Sequence, residues 1–193
     1  MILPDGPLVH EQLRLEPLTR EHRPGLVAAG GDPGLFRWWP RAMAGEAFDR
    51  TLDWLEAEIA AGRWRAFTVI APDGRILGQT CYLNIEPAHD RVEIGGTWYA
   101  AEAQGGVVNP VAKLLMLGGA FDGGAERVEL KTDSLNARSR AAILKLGATF
   151  EGVFRHHLRR PDGTWRDTAW YSILRAEWPG VRDGLIRRIA AIA

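Results

Sequence analysis

Between Thr97-Trp98-Tyr99 and Asn109-Pro110 the sequence places a loop that contains Gln104-Gly105-Gly106. The residues before it (RVEIGGTWY, 91–99) alternate as a strand does, and those after it (PVAKLLMLGGAF, 110–121) read as a helix. Two glycines allow a ligand to approach the backbone closely. The first turn of a helix adds N–H groups without intrahelical acceptors and the positive end of its dipole. In that order the three pieces make an anion site suited to a diphosphate. Asn109 is placed to cap the helix and Pro110 to take its first position, where a missing N–H costs nothing. The same local pattern also serves as a plain connection, so the loop by itself leaves both readings open.

Other chemistries are refused. The sequence holds neither a G-x-x-x-x-G-K-[ST] phosphate loop nor a G-x-G-x-x-G dinucleotide fingerprint. No G-x-S-x-G elbow occurs, and the serines are Ser134, Ser139 and Ser172 alone. His10, His22, His89, His156 and His157 never fall at H-E-x-x-H spacing, so no zinc site, and no metal, is expected. Cys81 is the single cysteine, which rules out an intrachain disulfide, and it reads as a small buried side chain. His156 and His157 stand beside Arg155, Arg159 and Arg160. Neighbouring strand residues face opposite ways, so at most one of the two can enter a cleft; His156 is the candidate substrate contact.

The elements that must hold these residues follow from periodicity. LRLEPL at 13–18 is a short strand, and 19–44 is mixed, weakly helical with a loop at Trp38-Trp39-Pro40. Phe48, Leu52, Leu55 and Ile59 mark one helix face, closed by Gly62. Strands at 64–71 and 76–85 flank the Pro72-Asp73-Gly74 turn, and 91–99 follows. After the 110–121 helix come a strand at 126–132, a helix at 136–146 stopped by Gly147, and two strands near 149–158 and 165–174 around Arg160-Pro161-Asp162-Gly163. Val181, Leu185 and Ile189 give a last helix. The order β, α, α, βββ, α, β, α, ββ, α predicts one α/β domain over 1–193, with a mixed sheet flanked by helices.

Composition bounds the function. A chain of 193 residues, 46% apolar and 25% charged, has the make-up of one globular domain. Lys plus Arg equals Asp plus Glu at 24 each, which argues against electrostatic gripping of nucleic acid or an anionic membrane. No apolar run approaches the ~18 residues of a membrane span, and the start does not read as a signal peptide, so a cytoplasmic protein is expected. The neutrality hides an asymmetry: residues 1–100 carry a balance of −4 and residues 101–193 one of +4. The positive half is the one with the anion loop. Eight tryptophans and only three lysines (Lys113, Lys131, Lys145) among the cations need no functional cause.

The ordered set Val92-Glu93-Ile94-Gly95, glycine-bearing loop, helix, strand, then Asn136-x-x-Ser139 and Lys145-Leu146-Gly147 resembles the GNAT family of acyl-CoA N-acyltransferases. LRLEPL and RRPDGTWRDTAWYSILRAEWP extend the likeness along nearly the whole chain, most like the RimJ/RimL branch of ribosomal-protein N-terminal acetyltransferases. The resemblance implies a mostly antiparallel sheet splayed between its central strands, and acetyl-CoA as co-substrate. It implies that the main chain of Gln104, Gly105, Gly106, Val107, Val108 and Asn109 holds the diphosphate. The backbone of Trp98 and Tyr99 would pair with the pantetheine arm, helped by Asn136, and Arg138 and Arg140 would lie near the adenosine phosphate. Val107 and Asn109 depart from the small residues usual in that loop.

On the same resemblance Trp38 and Trp39 would wall the acceptor. Glu93 is the candidate base and Ser139 the candidate acid; a structural role for either is the alternative. An α-amine, with a pKa of about 7.7–8, is partly neutral near pH 7, so a base working through water suffices. The expected reaction is direct transfer of acetyl to a primary amine, preferably a protein or peptide N-terminus or a small amine. Detoxification of a foreign amine and a catalytically silent CoA-binding module are the rival readings, and relatives of this kind are often homodimers.

Overall fold

Alternation along the chain sorts each strand's residues to two faces, and the computed structural model, which describes residues 1–39, 41, 46–160 and 162–192, stacks those faces into one sheet. Pro40 and Pro161, expected in a loop and a turn, lie outside the described residues. The strands are β1 (Leu8–His10), β2 (Leu13–Pro17), β3 (Arg65–Ile70), β4 (Ile76–Glu86), β5 (Arg91–Tyr99), β6 (Arg127–Asp133), β7 (Thr149–Arg159) and β8 (Trp165–Leu174). Their order across the sheet is β1-β2-β3-β4-β5-β6-β8-β7. Every neighbouring pair is antiparallel except β5 with β6, which are parallel.

The helices are α1 (Arg23–Ala29), α2 (Glu46–Ala60), α3 (Val108–Asp122), α4 (Ala137–Leu144) and α5 (Trp178–Ile192). Tyr82, Val92, Ile94, Val128, Leu130, Tyr171 and Ile173 point to one face, where α3, α4 and α5 bury Val111, Met116, Leu117, Ile143, Val181 and Leu185. Cys81 and Leu83, one residue out of phase with Tyr82, face the other way and meet Leu26 of α1 and Phe48, Leu52 and Leu55 of α2. Each large apolar side chain buried in this way contributes about 1.5–3 kcal/mol. The helical spacing and strand alternation read from the sequence are therefore the packing faces themselves.

Over β6 and β8 the face shared with α1 and α2 changes character. Glu129, Lys131 and Asp133 alternate with buried Val128 and Leu130, and they pair across to Ser172, Trp170 and Thr168. A polar half-face thus adjoins an aromatic one. Two elements differ from expectation: β1 is too short for its period to be seen, and α3 begins two residues earlier than Pro110 suggests.

Candidate active site

β5 and β6 pair at Arg91↔Arg127, Val92↔Val128 and Glu93↔Glu129, and no further. β5 continues to Tyr99 on β4 and β6 to Asp133 on β8, so their facing edges part beyond Glu93. The main-chain groups on those two edges have no strand partner, an arrangement that an extended, amide-bearing chain can satisfy. On its β4 side β5 carries an extra residue: Cys81 opposes Gly95 while Gln79 opposes Trp98. Gly96 absorbs this bulge at φ 55°, and a Cβ there would come within 3.0 Å of the Cys81 sulfur and 3.2 Å of Trp64.

Glu93 sits at the fork. It is 2% exposed, and its Oε2 receives the Lys131 ammonium at 2.6 Å and the Asn84 amide at 2.7 Å. Burial pushes its carboxyl above the usual range; Lys131 and Asn84 oppose that push, and Glu129 on the next strand adds to it. The result is a carboxylate held in place and inclined to take a proton. Neither Lys131 nor Asn84 was singled out by the sequence. The available signal was that Glu129, Lys131 and Asp133 share a strand face, but matching Lys131 to Glu93 needs the register of β5 on β6.

The loop after β5 is anchored by Gln104, whose Nε2 donates to the Tyr99 carbonyl at 2.9 Å. Gly105 turns at φ 81° with open space on its Cβ side. Among the described residues, none accepts from the N–H groups of Gly105, Gly106 or Val107. Those of Val108 and Asn109 lie in the first turn of α3, with no intrahelical acceptor. Five donors therefore surround the positive end of a fifteen-residue helix. The expected cap is corrected: Val107 is the N-cap without a side-chain bond, Pro110 is third in the helix, and Asn109 Oδ1 instead accepts from the buried Tyr99 hydroxyl at 3.2 Å. The Trp98 ring is buried and packs edge-on to Phe36 and Phe48.

At the start of α4, Asn136 is the N-cap, its Oδ1 accepting from Ser139 N at 3.1 Å. Its amide nitrogen and the Ser139 hydroxyl have no hydrogen bond to the described residues. Arg138 is exposed. Arg140 is half-buried, its Nε donating to the Tyr171 hydroxyl at 3.1 Å and its Nη1 to the Ser134 carbonyl at 3.3 Å.

His156 is not brought to the fork. It lies exposed at φ 50°, with its N–H on Asp167 Oδ1 at 2.7 Å and its ring stacked on Trp165. The bulge between Phe154 and Leu158 instead turns His157 onto the polar face, where Nδ1 meets Thr168 Oγ1 at 3.1 Å and the ring abuts Trp170. Burial, then Lys131 and Arg166, lower the His157 pKa. Trp39 lines an aromatic hollow with Phe48, Trp54, Trp64 and Gln79, and the Trp38 carbonyl lies 3.5 Å from Arg166 Nη1. Cys81 is buried and its thiol pushed up to about 12, so it is no nucleophile. Among the described residues no group of three or more His, Cys, Asp or Glu could hold a metal ion, and no helix is long and apolar enough to cross a membrane.

Residues 12–149 match the family described as Acetyltransferase (GNAT) domain. The chain belongs to the GNAT acetyltransferase family. This GNAT chain is similar to the crystal structure of a chain inferred to be an acetyltransferase, at 34% identity, covering 98% of this chain and 96% of that one, with TM-score 0.90. It is also similar to a GCN5-related N-acetyltransferase from Brucella melitensis, at 28% identity over 97% and 87% of the two chains, with TM-score 0.88. Mycobacterium smegmatis RimJ in complex with CoA-disulfide shares the fold at 24% identity over 93% and 90%, with TM-score 0.78. A search of curated proteins finds no match. The GNAT chain is thus an N-acetyltransferase with acetyl-CoA as its co-substrate, and the chain fits that molecule: five open main-chain donors suit a diphosphate, and two unpaired strand edges suit the amides of an extended arm.

Proposed function

We propose that this N-acetyltransferase transfers acetyl to an α-amine, that of a peptide or protein N-terminus or of a small molecule, as a member of the RimJ/RimL branch. The observation that carries the reading is the buried Glu93 at the point where β5 and β6 part, held by Lys131 and Asn84. The likeness to RimJ from Mycobacterium smegmatis supports the branch.

In this reading the loop Gln104–Asn109 binds the diphosphate with its N–H groups. The open β5 edge at Trp98 and Tyr99 pairs with the pantetheine amides, with the spare amide nitrogen of Asn136 opposite and Arg138 near the adenosine phosphate. Glu93 takes the proton that the amine sheds as its nitrogen bonds to the thioester carbon, directly or through one water. Burial raises the proton affinity of Glu93, which suits it to accept that proton. Main-chain N–H groups on the open β5 edge steady the carbonyl oxygen while it is negative. The carbon–sulfur bond then breaks, and the sulfur leaves with a proton that the Ser139 hydroxyl supplies and regains from solvent. Trp38 and Trp39 flank the acceptor. Two measurements test the reading: calorimetric binding of acetyl-CoA, and thiol release with a panel of amines and peptides. Acetyl-CoA binding together with turnover of α-amines is expected; turnover confined to side-chain amines of high pKa would refute the α-amine assignment.

A further inference from the structure

Three buried or half-buried cations stand on the polar half-face beside Glu93: Lys131, Arg160 and Arg166. Two are matched. Lys131 has Glu93 at 2.6 Å, and Arg160 has Asp133 at 2.7 Å, with a second bond to the same oxygen at 2.9 Å. Arg166 is only 6% exposed and has no carboxylate within salt-bridge distance among the described residues. Among the described residues its one hydrogen bond runs from Nη1 to the Trp38 carbonyl at 3.5 Å, the outer limit of such a contact, and its buried Nε has no partner there.

A guanidinium presents five donors in a planar fork, and burying it with one marginal acceptor costs far more than burying a paired one. Burial accordingly lowers the affinity of Arg166 for its proton, and the carboxylates of Asp133 and Glu93, though near enough to act on it, are already claimed by Arg160 and Lys131. The other ionisable group facing it, His157, has its proton affinity lowered by burial and then by Lys131 and Arg166, and an imidazole, neutral or cationic, is in neither form the missing anion. The fork therefore lacks a planar anion. Its place is set by β8, which carries Arg166 and Thr168 on the face where Asp133, Lys131 and His157 converge, and by the Trp38 carbonyl from the segment preceding α2.

We infer that Arg166 binds a carboxylate on the acceptor, so that the molecule acetylated is an amine that also carries an acid group. The inference rests on the acetyl-transfer reading above and narrows it. Two sources share this chemistry, the α-carboxylate of a free amino acid and the acidic side chain at a peptide's first positions. A bidentate Arg–carboxylate pair in a water-poor site discriminates strongly against the neutral amide of the same shape, because the amide leaves the guanidinium without its anion.

The test compares matched acceptors by thiol release: free amino acids against their carboxamides, and peptides beginning with Asp or Glu against those beginning with Asn or Gln. The wild-type protein is expected to favour the acid in at least one pair by about 30-fold or more in kcat/KM, and the pair that shows it names the source. In Arg166→Gln that ratio falls toward one, while in Arg166→Lys it is partly kept; the Kd for acetyl-CoA, read by calorimetry, stays within about threefold of the wild type in both. Equal turnover of acid and amide by the wild-type protein overturns the inference and leaves the acetyl-transfer reading standing. A ratio unaltered in Arg166→Gln, or a loss of acetyl-CoA affinity equal to the loss of turnover, also overturns it. Failure of any amine to be acetylated overturns both.

Discussion

Lys113 is a lysine in the apolar face of α3, 6% exposed, whose Nζ donates to Thr97 Oγ1 at 2.9 Å. No carboxylate lies within salt-bridge distance among the described residues, and burial lowers its pKa from 10.5 to about 8. Below pH 8 both the folded and unfolded chains carry the proton, and the folded one must bury it. The gap between the two pKa values corresponds to about 3 kcal/mol of lost stability at neutral pH. Lys113→Met keeps the length of the side chain and removes the charge, at the loss of one hydrogen bond worth about 1 kcal/mol. Thr97 retains its bond to Thr80 at 2.8 Å, so no hydroxyl is orphaned. The variant is expected to be more stable than the wild type by about 2 kcal/mol at pH 7. As pH rises from 8 toward 10.5 the folded chain sheds its proton while the unfolded one still holds it. Wild-type stability then gains on the variant, and the difference closes. Tyr82 and Tyr99, both buried with raised pKa values and neither acted on by Lys113, weaken both proteins alike at high pH. The Cys81 thiol interacts with Lys113, so both proteins are compared in a Cys81→Ala background, where the difference isolates Lys113. Urea denaturation at pH 7, 8, 9 and 10 reads it. A variant less stable than the wild type at pH 7, or a difference that does not change with pH, would refute the reasoning.

Other substitutions have equally direct readouts. Glu93→Gln should lower kcat by about 10²–10⁴ while acetyl-CoA binding persists, measured by thiol release and calorimetry. Because burial raises the Glu93 pKa, the acidic limb of the wild-type kcat/KM profile should fall above the ordinary 4.5 and vanish in that variant. Gly96→Ala forces a Cβ onto a left-handed backbone and toward the Cys81 sulfur and Trp64, so denaturation should show a loss of about 1–3 kcal/mol. Asn136→Ala should cost about 1 kcal/mol through the α4 cap, whereas Asn136→Asp should keep it; stability curves separate the two.

The strands and helices were legible because most of them bury a face whose period is written in the chain. Val128 and Leu130 in β6, and Val181, Leu185 and Ile189 in α5, fall where alternation and helical spacing put them. What misled was local chemistry with a distant partner. Asn109 before Pro110 has the signature of a cap, yet the Tyr99 hydroxyl takes its side chain and the helix starts at Val108. His156 and His157 were rightly opposed, but a bulge decides which one turns to the sheet face, and bulges leave little trace in composition. Glu93 could be picked out; its ion pair with Lys131 could not, because it depends on the parallel register of two strands separated by the whole of α3. Nothing in the sequence singles out Arg166, and its burial without a carboxylate among the described residues is what marks it out.

The insertion of β8 between β6 and β7 bears on how the protein is made. Residues 165–174 are synthesised after seven of the eight strands, yet they fill a gap in the interior of the sheet. Until they arrive, β6 and β7 each present an unpaired edge, and exposed edges of this kind are templates for aggregation. Arg166, Thr168 and Trp170 arrive with the same strand, so the polar half-face and the closure of the sheet are completed in one step. A nascent chain halted before Trp165 would then be an aggregation hazard, not a folded protein awaiting its site.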